Sequence, residues 1–114
     1  MNIEEYRDYC LTKPGVTEGF PFDQKVLVFK VMGKMFALCN MMTFEYCNLK
    51  CDREKAIVLR EEHSEVNPAW YMNKKHWNSA SFTGYLIDKQ IEQWVKDSYN
   101  LLVKNMPKKL REQL

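Results

Sequence analysis

Lys25-Val26-Leu27-Val28-Phe29-Lys30-Val31, Met32-Gly33-Lys34 and Met35-Phe36-Ala37-Leu38-Cys39 form the stretch that decides the fold. Two β-branched and apolar runs flank a tight turn containing glycine, which predicts a β-hairpin. Downstream, Phe44-Glu45-Tyr46-Cys47-Asn48-Leu49-Lys50 alternates polar with apolar residues. Cys47 and Leu49 fall on one side, and Phe44, Tyr46, Asn48 and Lys50 on the other, predicting a third strand with one wetter face.

A sheet with one apolar face needs cover, and the flanking sequence supplies helices. Asn2-Ile3-Glu4-Glu5 reads as a helix start, with Asn2 as cap and Glu5 three residues on, as in a capping box. Ile3, Tyr6, Cys10 and Leu11 share one face, and Lys13-Pro14-Gly15 ends the helix. Residues 16–24 form a short strand or loop with a turn at Phe22-Asp23-Gln24. Asp52 opens a second helix running to about His63, with Ala56, Leu59 and His63 on one stripe.

Residues 65–71 read as a linker or short edge strand, because Pro68 cannot donate to a central ladder. Ser79-Ala80-Ser81-Phe82 is a further strand closed by Thr83-Gly84. From Asp88 to about Asn105, the spacing of Ile87, Ile91, Trp94, Val95, Ser98, Leu101 and Leu102 predicts the longest helix, stopped by Pro107. Lys108, Lys109 and Arg111 follow in a short helical tail. The expected architecture is α+β: an antiparallel β-sheet meander with helices packed on one face, including an N-terminal helix and a long C-terminal helix. At 114 residues it makes one domain, 1–114.

Composition narrows the functional classes. Hydrophobic residues make up 46% and charged residues 28%, as in a globular chain. No apolar run is long enough to cross a bilayer, and Met1-Asn2-Ile3-Glu4-Glu5 is acidic where a signal peptide is basic, so a cytoplasmic protein with no membrane contact is expected. Cys10, Cys39, Cys47 and Cys51 show no close-spaced pairing. On an extended strand Cys47 and Cys51 would stand roughly 13 Å apart, too far to share an ion, so structural thiols and no metal or cofactor are expected. Net charge is only +2, yet it is uneven: residues 1–71 carry 9 Lys and Arg against 11 Asp and Glu, whereas residues 72–111 carry 8 against 3.

Within that basic half, Tyr71-Met72-Asn73-Lys74-Lys75-His76-Trp77-Asn78-Ser79 concentrates cations, an imidazole, amides and an indole. Trp77 reads first as a buried anchor and second as a stacking platform. Taken with Lys13-Pro14-Gly15-Val16-Thr17-Glu18, Phe29-Lys30-Val31-Met32-Gly33-Lys34-Met35-Phe36-Ala37, Leu49-Lys50-Cys51-Asp52 and Asp97-Ser98-Tyr99, this run resembles the MmcQ/YjbR family of small bacterial proteins over nearly the whole chain. The resemblance implies a CyaY-like, or frataxin-like, α+β fold described as a double wing, and a predicted DNA-binding role without catalytic residues.

The groups available for DNA are Lys74, Lys75, His76, Asn73 and Asn78 on the central loop, Lys50 and Arg53 at the strand-to-helix junction, and Lys30 and Lys34 at the hairpin. With few arginines to fork onto guanine, weak, salt-sensitive and largely sequence-independent binding by a monomer is expected. The alternative is a non-enzymatic protein-interaction or regulatory adaptor using a sheet edge or an aromatic patch of Phe44, Tyr46, Trp70 and Tyr71. No Ser/His/Asp order, phosphate-cradling glycine loop or paired-carboxylate constellation suggests an enzyme. Glu4, Glu5 and Asp8 are too sparse for the acidic ridge that iron handling would need.

Overall fold

In a computed structural model, which describes residues 1–69, 72–82, 86 and 88–114, the chain runs α1 (Ile3–Leu11), β1 (Val16–Gly19), β2 (Val26–Val31), β3 (Lys34–Asn40), β4 (Tyr46–Lys50), α2 (Arg53–Glu62), β5 (Val66–Pro68), β6 (Trp77–Ser81), α3 (Asp88–Lys104) and α4 (Lys108–Arg111). The hairpin forms as its sequence predicts. Met32 and Gly33 both adopt left-handed φ, 50° and 81°, the geometry that matches a two-residue turn to the twist of its strands. The expected closure at Thr83-Gly84, together with Trp70, Tyr71 and Ile87, lies outside the described residues.

Six antiparallel strands pair in the order β1-β2-β3-β4-β6-β5. The meander therefore holds through β4 and then departs, because β6 inserts between β4 and β5. Strand β5 is left at the sheet edge, where Pro68 is tolerated. The strand expected at Ser79–Phe82 begins two residues earlier, at Trp77, so the end of the supposed central loop is sheet.

Helices α1 and α3 cover one face, with Tyr6 and Cys10 of α1 and Ile91, Val95, Tyr99 and Leu102 of α3 packed on Leu27, Phe29, Val31, Cys39, Cys47 and Leu49. The capping box at Asn2 and Glu5 is complete in both directions. Asp52 sits at the N-cap of α2 but makes no side-chain cap bond. The other face holds a smaller cluster of Val28, Leu38, Ala69 and Trp77, with Val26, Met35 and Met72 at its margin.

Two details break the simple period of a strand. The register shifts between Phe29, opposite Ala37, and Lys30, opposite Met35, so Phe36 is an extra residue and both Phe36 and Ala37 reach the helical face. Ser98 of α3 secures this bulge: its hydroxyl donates to the Phe36 carbonyl at 2.5 Å and accepts from the Lys50 amide at 3.0 Å. Phe44, expected on the wetter face of the third strand, instead has φ 46° and precedes the strand. The turn sends its ring onto Phe82, stacked at 4.0 Å, and against Tyr6 at 5.9 Å.

Candidate nucleic-acid interface

Antiparallel register determines which ends meet. Val31 pairs with Lys34, Ala37 with Leu49 and Lys50 with Trp77, so the hairpin tip, the end of β4 and the start of β6 all lie at one end of the sheet. With strands about 4.8 Å apart, that end spans roughly 14 Å from β2 to β6. It carries Lys30 and Lys34 on the hairpin, Lys50 at the end of β4, Arg53 at the start of α2, and Asn73, Lys74, Lys75 and His76 in the turn before β6. Lys30 and Lys50 are half-buried, their stems lying along the sheet while the other six side chains are exposed. Among the described residues the ion pairs are Met1 amine–Asp88, Arg7–Glu18, Lys55–Asp97 and Lys108–Glu112, none of which uses Lys30, Lys34, Lys50, Arg53 or Lys75.

The 73–76 turn is built by local bonds. Asn73 Oδ1 accepts from the Lys75 amide at 3.1 Å, and the Asn73 carbonyl accepts from the His76 amide at 3.0 Å. The Cys51 amide donates to the His76 carbonyl at 2.7 Å, tying the turn to the β4–α2 junction. Arg60, in the last turn of α2, donates to the Lys74 carbonyl, to Asn78 Oδ1 at 2.7 Å and to the Trp77 carbonyl at 3.5 Å. This guanidinium, which sequence reasoning missed, clamps the segment that carries the cations. Its only sequence signal was the four-residue spacing from Ala56, which sets it beside the buried stripe of α2.

Asn78 is a correction to the expected contact set. It is 5% exposed, and its amide is engaged at both ends, donating to the Ala56 carbonyl at 3.2 Å and accepting from Arg60. Its position in β6 turns it onto α2, so it supports the turn without reaching a ligand. Trp77 is 6% exposed in the cluster on the opposite face, an anchor and not a stacking platform.

The other end of the sheet exposes large apolar side chains among polar ones. Phe20, Phe22, Met41, Met42 and Tyr46 are exposed there, on and beside the β1–β2 and β3–β4 connections. Of the aromatic patch expected from the sequence, Tyr46 belongs to this surface, Phe44 packs into the core, and Trp70 and Tyr71 lie outside the described residues.

Two cavities accompany these surfaces. One, about 250 Å³, opens between α2 and α3 over a floor of Leu49, Leu59, Ala80 and Trp94. Cys51 lines it, and burial raises the pKa of its thiol. A second, about 310 Å³, lies on the helix-free face. Among the described residues no three His, Cys, Asp or Glu side chains are grouped to hold a metal ion, and no helix is long and apolar enough to cross a membrane.

A family model described as YjbR matches residues 11–101. The chain belongs to the YjbR family. It is 35% identical over 115 residues to the uncharacterized protein YjbR of Escherichia coli strain K12, covering 100% of this chain and 98% of the relative. To the uncharacterized protein YbdF of Escherichia coli O157:H7 it is 30% identical over 107 residues, 93% of this chain and 88% of that one. A crystal structure of a Deinococcus radiodurans protein with a DUF419 domain superposes with a TM-score of 0.91 at 31% identity, covering 98% of this chain and 86% of that chain. A Pseudomonas syringae protein gives a TM-score of 0.75 at 26% identity, over 89% and 98%. The six-stranded sheet with its flanking helices is thus an architecture this YjbR-family chain shares with solved structures.

Proposed function

We propose that the chain is a small, cytosolic, non-enzymatic protein that binds DNA as a monomer, gripping phosphates through the basic end of its sheet with little sequence preference. The observation that carries this reading is the strand register, which brings Lys34, Lys50 and the Lys74-Lys75-His76 turn to one end from positions far apart in sequence. The Arg60 clamp supports it by holding the turn in place before any ligand arrives, which lowers the ordering cost of binding. Arg53 is the only arginine in the set, so forked readout of guanine is slight and phosphate contact dominates. Engaging about five phosphates predicts a log–log salt slope near −4 to −5. A CyaY-like classification, implied by the family resemblance, rests on the pairing of an N-terminal and a long C-terminal helix on one sheet face.

Titration of labelled duplex at low salt tests the reading, with a Lys74→Ala/Lys75→Ala variant alongside. Binding that weakens in the variant and follows this slope is expected. If neither duplex nor single strand binds below roughly 100 μM, the weak end of non-specific affinity, the reading fails.

A second reading, a protein-interaction adaptor, is favoured by the exposed Phe20, Phe22, Met41, Met42 and Tyr46 at the far end. A partner retained from native lysate after nuclease treatment, and lost on Phe22→Ser with Met42→Ser, is the expected signature.

A further inference from the structure

Asn48 lies in the middle of β4, paired with Leu38 on one side and Ser79 on the other, on the face without helices. It is 8% exposed; among the described residues its Oδ1 has no hydrogen-bond partner, and its Nδ2 meets only the Met72 thioether at 3.7 Å. An interior sheet position next to Leu38 and Trp77 would take a leucine or valine without loss, whereas a buried amide short of partners destabilises the fold. Such a group sits in the wall of the cavity of about 310 Å³, near the lower bound for small-molecule sites, beside Phe22, Val26, Leu38, Tyr46 and Met72. Phe22 and Tyr46 are 63% and 44% exposed, so aromatic surface is open to a ligand at the cavity mouth.

We propose that this cavity binds a planar heteroaromatic ring with a donor beside an acceptor on one edge, as adenine has, and that the Asn48 amide pairs with both. An asparagine amide matches the adenine N6 donor and N7 acceptor geometrically. The ring enters by displacing Met72, whose unbranched side chain rests on the amide and moves at little cost. The same chemistry has two sources: a free nucleoside, or a base unstacked from a single strand. Lys50 lies on the same face two residues along β4, about 7 Å away, so a strand with a phosphate there would set a base at Asn48. The strand-borne source rests on the DNA-binding reading; the free ligand does not.

Calorimetric titration of the full chain with adenosine, purine riboside and a short oligodeoxyadenylate, at low salt, tests the site. Adenosine should bind with a Kd below about 1 mM. Purine riboside, lacking the exocyclic amine, should bind roughly tenfold or more weakly, as should adenosine to Asn48→Leu. The Asn48→Leu variant should melt no lower than the parent. Lys74→Ala/Lys75→Ala should weaken the oligonucleotide and leave adenosine unchanged, which separates this site from the phosphate-binding end. Oligonucleotide binding that Asn48→Leu weakens, with no adenosine binding, supports the strand-borne source. Parental affinity for both ligands in a folded Asn48→Leu chain overturns the proposal, as does a parent that binds neither below about 1 mM. Should Asn48→Leu fail to fold, Phe22→Ala at the exposed mouth must weaken adenosine severalfold, and unchanged binding there also overturns it.

Discussion

Replacing Ser98 with alanine removes one oxygen and strands two backbone groups. The Ser98 hydroxyl is fully buried and is held between the Phe36 carbonyl and the Lys50 amide. Phe36 is the bulged residue, with no paired partner on β2 or β4 in the sheet register. A buried polar group left without its partner costs about 1–3 kcal/mol, so the two together give about 2–6 kcal/mol. Unfolding entropy near 2.1 cal/mol/K per residue amounts to about 0.24 kcal/mol/K for a chain of this length, so Tm should drop by roughly 8–25 °C. Urea unfolding followed by circular dichroism measures the loss directly, and an unchanged slope would show that the change is in stability and not in the unfolding mechanism. A loss under about 1 kcal/mol would refute the reasoning, because the bulge and the end of β4 would then not depend on this hydroxyl.

Arg60→Ala should cost about 2–3 kcal/mol and speed amide exchange at residues 73–77, since the clamp on Lys74, Trp77 and Asn78 disappears; Arg60→Lys should recover less than half, because an ammonium cannot fork across three oxygens. The Arg7 guanidinium beside Glu18 holds that carboxyl below its usual range, with Nε donating to Oε2 at 2.7 Å. This contribution is complete above the ordinary carboxylate pKa and is lost as pH falls through the lowered folded value. The pair is largely exposed, so the effect is small, and thermal melts of parent and Arg7→Ala should differ slightly at pH 6 and converge in acid. Burial pushes the Cys39 and Cys47 thiols up to about 12 and raises Cys10 as well. Cys51 is only half-buried, so native protein should react first there with a chromogenic disulfide, slowly at neutral pH, and release all four thiols only when unfolded.

The helices and the hairpin were legible because each carries its own local code. Asn2 and Glu5 write the first cap, Met32-Gly33 writes the turn, and the Ile91-Val95-Ser98-Leu102 stripe writes α3. Residues 77–81 were partly hidden because their sheet positions hold Asn78, Ser79 and Ser81, polar groups that break the alternation expected of a half-buried strand. What satisfies Asn78 is Arg60, eighteen positions earlier, and no spacing rule connects them. The bulge at Phe36 was equally silent, since the serine that stabilises it lies on a helix sixty-two residues downstream. For the candidate interface, residue types could be named from the sequence, but their gathering at one end follows from register, and register depends on the insertion of β6.

That insertion also sets an order of events during synthesis. The 26 residues between Lys50 and Trp77 must be made after β4 before its outer partner exists, and at about 5–20 residues per second this takes roughly one to five seconds. During that interval Cys47, Asn48 and Leu49 present open amides and carbonyls on the nascent chain, and residues 66–68 have no neighbour to pair with. Translation speed across this window therefore controls how long a sticky half-sheet is on offer to other polypeptides.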